Sequence, residues 1–533
     1  MYFSKILAKL NTSITGGAII IAVFSVASKM LALFRDRLLA SGFGAGDILD
    51  AYYAAFKLPD LIFNTLVLGA LSAAFIPVFI ALKNKSAQSN GAMEQWSNQI
   101  NHWQMSSAVM NIIFLAMLVL GVVFFVLAKP LMGLIAPGFI GEKLELAASM
   151  TRIMLISILF FGISNVLSGI LQATKRFMMF ALAPVMYNAG IIFGIVFLVG
   201  RMGPVGLAWG VVVGAGLHLA VQLPSVIRAG FKWQPVLFLK EKAVKKIGKL
   251  MLPRTLGLAV GQINQLVITI IGSTLIAGSI AVFNLAFNLA SVPVSVFAIS
   301  FAVASFPALS ESAAKKDKEK FVLQLSRTVR KILYLIIPVS VFMIALRAQT
   351  VRLILGSGAF DWRATVFTAD TLGYFCISLF AQGLVPVLAR AFYARHDTKT
   401  PVIAGLFSVG VNILLSLVLS RTMGVMGLAL SFSISSILNV ILLAVILKYR
   451  VGFLDERNIG FAILKIITST IGGVIFLQIT KYLVAGMVDM QTFVGVMAQF
   501  LAAGIVGASI YILVSWILGS EEIKKMGTIF SRD

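Results

Sequence analysis

Lys29, Arg35, Asp36 and Arg37 arrive within about three helical turns at the end of the first apolar stretch, in "SKMLALFRDRLL". A charge at the bilayer centre costs at least ~2.5 kcal/mol on insertion scales, so intramembrane ionisable groups face a bundle interior or a wet cavity. Lys29 sits about fifteen residues into the span, too deep to snorkel easily, and lies two turns from Asp36 on nearly one helix face. Lys29 and Arg35 are read as lining a cavity, and Arg37 as the interfacial end of the helix. The next span carries Asp50 at its mouth and "FKLPDL", where Lys57 and Asp60 flank Pro59. Proline removes a backbone donor and bends a helix, which opens room for a polar site or a hinge. Further on, "LPRTLGLAVGQINQL" puts Arg254 and Gln265 on one helical stripe. Cations gathered with few acids suit an anion. Phosphate is the fitting class, since Arg supplies paired donors and Lys a point charge.

Other chemistries lack their residues. The chain has no glycine-rich phosphate loop with its lysine, no HExxH, no paired CxxC and no GxSxG. His102, His218 and His396 are scattered without metal-ligand spacing, and the single cysteine, Cys376, cannot form an intrachain disulfide. The reading is of a protein that is not an enzyme, with no metal and no cofactor. The glycines of "SGFGAG" are read as a tight turn.

The elements that must position these groups are membrane helices. The 533 residues are 59% hydrophobic and only 12% charged, and a spanning helix needs about 20 apolar residues. Fourteen such runs are read, the first near 15–37, the seventh near 250–275 and the last near 494–518, with little sequence left for soluble domains. The expected fold is an all-α integral membrane protein of about 14 transmembrane helices. The net charge of +24 is concentrated in the segments that alternate on one side, which by the positive-inside rule puts both termini in the cytoplasm. The basic blocks Arg228 to Lys249 and Lys315 to Lys331 then face anionic headgroups rather than nucleic acid. The amino end "MYFSKILAKLNTS" is read as an interfacial lead-in, not a cleaved signal.

An internal repeat organises the spans. "GRMGPVGLAWGVVVGAGLHL" (200–219) matches "SRTMGVMGLALSFSISSILN" (420–439), with Gly203, Gly206, Leu207 and Ala208 aligned to Gly424, Gly427, Leu428 and Ala429. A weaker echo joins "AGDILDAYYAAF" to "AGSIAVFNLAFNL". A period of about six spans preserves orientation and relates two lobes by an axis along the membrane normal. The expected division is an N-lobe over 1–228, a basic cytoplasmic linker over 229–249, a C-lobe over 250–450, and two further spans with a tail over 451–533. Two six-helix lobes around a central cavity suit alternating access.

Several long motifs carry a family resemblance. "FGAGDILDAYYAAFKLPDL", "LGALSAAFIPVF", "KRFMMFALAPVMYN" and "FYARHDTKTPV" resemble the MurJ/MviN lipid II flippase family of the multidrug/oligosaccharidyl-lipid/polysaccharide exporter superfamily, collinearly over essentially all the spans. The resemblance implies translocation of lipid II from the inner to the outer leaflet of a bacterial cell membrane for peptidoglycan synthesis. It implies a cationic central cavity for diphosphate and sugar, and a groove shaped by the last two spans for the polyprenyl tail. The family's basic positions of span 1 fall on Lys29 and Arg35 with Asp36 beside them, and its span 2 acid falls on Asp50. Lys29 replaces the family's usual arginine, which keeps the charge and loses the fork. A further arginine falls at Phe63, and an arginine and a glutamate of span 8 fall near Asn288 and Ser291. Arg254 is the candidate replacement. The substrate-binding set is therefore Lys29, Arg35, Asp36, Asp50, Lys57, Arg254 and Gln265. Asn264 and Asn412 alone hint at sodium, and the coupling ion, whether sodium, proton or membrane potential, stays open. Expected partners are lipid II and membrane lipids, with the protein a monomer. The alternatives are a flippase for another undecaprenyl-linked glycan, a drug exporter of the same superfamily, or a non-transporting scaffold.

Overall fold

A computed structural model describes residues 14–66, 70–88 and 100–523, with the side chains of 14–19, 66, 70–73, 85–88 and 252–260 outside the described set. The described residues are mostly helical and contain no strand. Among the described residues nine helices are long and apolar enough to cross a membrane, ten if one bent pair counts as a span. The expected fourteen is not reached by length and composition, for reasons visible in the elements. The run Phe177–Ile227 is one of the nine yet has 51 residues, about 76 Å at helical rise and more than twice the hydrocarbon thickness. Span 2 is divided into Asp47–Ala55, Lys57–Leu66 and Ala70–Gln88. The charged helices Ile14–Phe43 and Lys242–Ser273 are not among the nine.

The chain divides into two compact units, Met1–Leu39 with Gly46–Ala277, and Ala40–Ala45 with Gly278–Asp533. In unit 1 the principal helices are α1 (Ile14–Phe43), α2 (Asp47–Ala55), α3 (Lys57–Leu66), α4 (Ala70–Gln88), α5 (His102–Val126), α6 (Ala128–Ile135), α7 (Gly141–Ala173), α8 (Phe177–Phe193), α9 (Gly206–Ala220) and α10 (Lys242–Ser273). Helix α7 is the hub and packs on α2, α3, α4, α5 and α9. Residues of α4, α5 and α7 share an apolar core that includes Phe75, Phe79, Met105, Met117, Ile158 and Leu167.

The units and the expected lobes are cut at different places, since unit 1 runs to Ala277 and the last two spans fall in unit 2. Helix α10, read as the first of the second lobe, packs on α3 and α4 and belongs to unit 1. The stretch 229–249 also differs from a solvated linker. Residues Phe231 to Phe238 run without helix along α5, and α10 already begins at Lys242. Asn111 Nδ2 donates to the carbonyls of Gln234 and Val236, both at 2.8 Å, and the Trp233 indole donates to Asn111 Oδ1 at 2.8 Å. One amide of α5 thus supplies the partners that an irregular backbone lacks.

Unit 2 contains α11 (Ser279–Pro293), α12 (Ile299–Ala314), α13 (Lys318–Ala345), α14 (Arg347–Ile354), α15 (Trp362–Cys376), α16 (Leu379–Ala394), α17 (Lys399–Met423), α18 (Val425–Val451), α19 (Glu456–Ala485) and α20 (Phe493–Ile517). The basic block 315–331 is mostly the first turns of α13. The last pair, α19 and α20, is fastened to α13 at several levels. Ser326 donates to Asp455 at 2.6 Å, Arg330 lies 3.5 Å from Glu521 and Glu522, and Tyr511 donates to the Tyr334 carbonyl at 2.7 Å.

The sequence repeat is present as repeated backbone geometry. Gly203 and Gly424 both adopt φ near +60°, at +63° and +59°, just before α9 and α18, a conformation that favours glycine. Three residues later, a Cβ on Gly206 would run into the backbone of Leu198 and Val199, and one on Gly427 into that of Leu419 and Ser420. The turns before α8 and α17 repeat too. Lys175 and His396 take φ of +57° and +60°. Beside them Arg176 donates to the carbonyls of Ser225 and Arg228, and Arg395 to that of Arg450.

Candidate functional site

Arg35 is held from two sides. Its Nε and Nη2 donate to Asp36 Oδ1 at 3.0 and 2.7 Å, and its Nη1 donates to Asn188 Oδ1 at 3.0 Å. Asn188 on α8 is itself fixed, since its Nδ2 donates to Ser28 Oγ at 3.3 Å and to the Pro184 carbonyl at 3.1 Å. The guanidinium is mostly buried and Asp36 almost wholly so, with side-chain exposures of 17% and 3%. A charge-assisted fork fixed in this way has a set orientation before any ligand arrives.

Lys29 lies two turns before Asp36 on α1, half-buried, and its electrostatic neighbours are Arg35 and Asp36. It makes no hydrogen bond or ion pair within 4 Å among the described residues, so its ammonium is available to an anion. Arg35 also interacts with Tyr52 and Tyr53 of α2. The Tyr53 hydroxyl is buried and has no partner among the described residues.

Pro59 acts as expected. Helix α2 ends at Ala55 and α3 restarts at Lys57, because Pro59 has no N–H for the Ala55 carbonyl. The Thr151 hydroxyl of α7 stands 3.5 Å from that carbonyl. The restart places Lys57 and Asp60 half-buried and electrostatically coupled, without an ion pair within 4 Å among the described residues. Tyr187 of α8 couples to Tyr52, Asp60 and Arg35, which ties the α3 groups to the α1 groups.

Asp50 lies elsewhere. Its carboxylate, 3% exposed, accepts from Lys143 Nζ at 2.8 Å, and the same ammonium binds Asp47 at 2.6 Å and lies over the Phe139 ring at 4.2 Å. This is a bridge between α2 and the start of α7, and it answers the charge of Asp50 from within the chain. Gln265 is half-buried on α10, with no side-chain hydrogen bond among the described residues. The side chain of Arg254 lies outside the described residues. Lys29, Arg35 and Asp36 are thus electrostatic neighbours, Lys57 and Asp60 are neighbours of each other with Tyr187 between the two groups, and Asp50 has Lys143 beside it.

Sequence reasoning missed Asn188, Tyr53 and Lys143. Asn188 is the one amide in the apolar run "FALAPVMYNAGIIF" and follows Pro184 by four residues, a signal that was available. Lys143 carried none, since its partners lie 93 and 96 residues away. The "FYARHDTKTPV" motif is a structural joint. Asp397 Oδ1 accepts the amides of Lys399 and Thr400 at 3.1 and 3.0 Å, and Asp397 pairs with Arg450 of α18. Among the described residues no cluster of His, Cys, Asp and Glu could hold a metal ion.

The comparisons with known proteins agree with one another. The model of the family described as lipid II flippase MurJ matches residues 39–508. The lipid II flippase MurJ of Burkholderia cenocepacia is 30% identical over 435 residues, 80% of this chain and 82% of that one. A probable lipid II flippase MurJ of Thermotoga maritima is 28% identical over 500 residues, 94% and 95% of the two chains. A solved structure of lipid II flippase MurJ in an inward closed conformation aligns with TM-score 0.76 and 25% identity, covering 94% of this chain and 98% of that one. An inward-facing multidrug resistance transporter of the MATE family shares the fold, with TM-score 0.66 and 17% identity over 82% of this chain and 99% of its own.

Proposed function

Since the chain belongs to the MurJ family of lipid II flippases, we propose that it carries lipid II from the inner to the outer leaflet and that Lys29 and Arg35 of α1 hold the diphosphate. Lipid II joins an undecaprenyl tail to a disaccharide pentapeptide through that diphosphate. Its head is too polar to cross hydrocarbon unaided, whereas the tail is at home there. The protein therefore has to shield the head and can leave the tail in lipid. A diphosphate offers oxygens for a planar fork and charge for an ammonium. Arg35 is the oriented fork and Lys29 the unpaired ammonium on the same helix.

The observation that carries this reading is the bracing of Arg35 by Asp36 and Asn188 at 2.7–3.0 Å. A cation so buried is costly in a membrane helix, and a scaffold has no use for it. Asp36 and Asn188 then orient Arg35, and the Tyr53 hydroxyl supplies a further donor. Asp50 is better placed as a strut of unit 1 than as a substrate group. The work is that of a multi-pass transporter, with alternating access of the site to the two leaflets, both termini in the cytoplasm, and a single chain as the working unit.

Reconstitution in vesicles tests the reading. The purified protein is expected to move lipid II between leaflets, and a Lys29→Ala, Arg35→Ala double variant inserted at equal levels is expected not to. Full transport by that variant would overturn the assignment of the diphosphate site. Failure of the unsubstituted protein to move lipid II, with a control flippase active in the same vesicles, would overturn the function.

A further inference from the structure

Beside the charged cluster stands an aromatic group that the diphosphate does not use. Phe161 of α7 lies 5.1 Å from the ring of Phe63 on α3, 5.1 Å from Tyr187 on α8 and 5.4 Å from His218 on α9. All four rings are partly exposed, so they form a wall rather than a sealed core. Two polar groups on this wall are available. The Tyr187 hydroxyl makes no hydrogen bond among the described residues.

The second is on His218. Gln222 Nε2 donates to Ser164 Oγ at 2.7 Å, and Ser164 Oγ lies 2.6 Å from His218 Nδ1. Ser164 Oγ accepts from the amide and has its own proton to give; we assign that proton to Nδ1, since the hydroxyl's other acceptor, the His218 carbonyl, is farther off at 3.4 Å. That assignment leaves the proton of the neutral imidazole on Nε2, where it is a donor without a partner among the described residues. Gln222 is held in turn by Ser168 at 2.9 Å. The ring is therefore locked by a buried network with its free N–H turned away from that network.

We propose that this wall is the subsite for a pyranose ring of the lipid-linked saccharide, with Phe161 and Phe63 as the stacking platform and Tyr187 and His218 as its hydrogen-bonding rim. The inference rests on the proposed transport of lipid II. Sugar rings present axial C–H groups that sit on aromatic faces and hydroxyls around their edges. A wall of rings with a few placed polar groups recognises that combination. A bare prenyl chain would use the rings and leave the Tyr187 hydroxyl and the His218 N–H unpaired, which costs binding. Position also fits. Tyr187 precedes Asn188, the residue that holds Arg35, and it couples electrostatically to Arg35 and Asp60. A sugar is bonded directly to its diphosphate, and the wall begins at the residue next to the one that holds Arg35.

The experiment compares three probes on protein in nanodiscs: lipid II, undecaprenyl diphosphate without sugar, and undecaprenyl phosphate. The unsubstituted protein is expected to prefer lipid II to undecaprenyl diphosphate. Phe161→Leu and Tyr187→Phe are expected to weaken lipid II binding by about tenfold and about threefold, the scale of one lost ring face and one lost hydrogen bond. Binding of undecaprenyl diphosphate should stay as it was. Phe63→Tyr, which keeps a ring, should bind lipid II normally, and Phe63→Leu should not. Equal loss for lipid II and undecaprenyl diphosphate would overturn the subsite and assign the wall to the tail or to packing; an unchanged preference for lipid II in every variant would overturn it as well. Failure of the unsubstituted protein to bind lipid II at all would refute the transport reading instead.

Discussion

The two units repeat a scaffold and differ in what they put on it. Each enters the helix before its repeated glycine, α8 or α17, through a residue near φ +60°, Lys175 or His396, beside an arginine bonded to distant carbonyls. Each then reverses at a glycine near φ +60° and brings the next helix into close backbone contact. The chemistry is not repeated. Aligned along the echo of α2 in α11, Asp50 meets Val282, Lys57 meets Leu289 and Asp60 meets Val292. Where unit 1 gathers Lys29, Arg35, Lys57 and Asp60, unit 2 packs Phe283, Phe287, Phe375 and Phe432 ring against ring at 5.1–5.6 Å. Turns and close approaches are set by backbone requirements that both units must meet, so they persist through duplication. Ionisable groups in a membrane helix carry an insertion cost and remain where a ligand offsets it.

The largest effect is expected from removing that asymmetry. Lys29→Ala or Arg35→Ala, each alone, should abolish complementation in a cell that has no other flippase, with membrane insertion intact because loss of a central charge eases insertion. Lys29→Arg should be tolerated, since a fork serves a diphosphate as well as an ammonium. Asn188→Ala should weaken lipid II binding by about tenfold, the scale of a hydrogen bond to a charged group, by letting the Arg35 fork turn. The paired joint residues supply the contrast. Arg176→Ala and Arg395→Ala should each lower thermal stability by about 1 kcal/mol and leave the affinity for lipid II unchanged. Loss of affinity in Arg395→Ala equal to that in Arg35→Ala would break the distinction between scaffold and site.

A smaller effect is expected at the α2–α7 bridge, where unit 1 has an ion cluster and unit 2 has Val282. Lys143→Met removes the cation that pairs with the buried Asp50 and with Asp47, and should destabilise unit 1 by roughly 2–3 kcal/mol in thermal unfolding. Asp50→Asn should cost less, because an amide is cheaper to bury than a charge. The exchanged pair Asp50→Lys with Lys143→Asp restores the attraction with the signs reversed. Recovery of both stability and transport in that double variant would mark Asp50 as a strut. Recovery of stability without transport would return Asp50 to the substrate-binding set where the sequence had placed it.

How far the sequence revealed all this depends on where each partner lies. Lys29, Arg35 and the break at Pro59 were legible because a charge or a proline in an apolar helix is anomalous locally, whatever the fold. The repeat was legible because its glycines answer to backbone geometry. Asn188 and Lys143 act across 153 and 93 residues, and no local pattern encodes which distant group an amide or an ammonium will meet. The membership of α10 in unit 1 was illegible for a related reason. Orientation counting fixes which way a span runs, not which neighbours it packs against.

The smallest effect sharpens the comparison from the side of unit 2, at the joint before α17. Burial pushes the Asp397 carboxyl up, but the Thr400 hydroxyl at 2.6 Å, the amides of Thr400 and Lys399 and the Arg450 guanidinium outweigh burial and hold it below the usual carboxylate range. A carboxylate depressed in the folded state stabilises the protein at pH values above its unfolded value, near 4, and that contribution is lost as pH falls through the lower folded value. Asp397→Asn keeps Oδ1 as acceptor for the α17 amides, and removes the charge together with the Oδ2 that accepts from Thr400 and Arg450. It should cost about 1 kcal/mol or less at pH 7, the scale of a partly exposed pair, while lipid II transport continues. Unfolding of the two proteins should converge below about pH 4, where the unsubstituted carboxyl takes up its proton. A difference that persists undiminished into strong acid would show that the joint depends on the shape of the side chain and not its charge. A transport defect at neutral pH would show that unit 2, too, carries ionisable chemistry of its own.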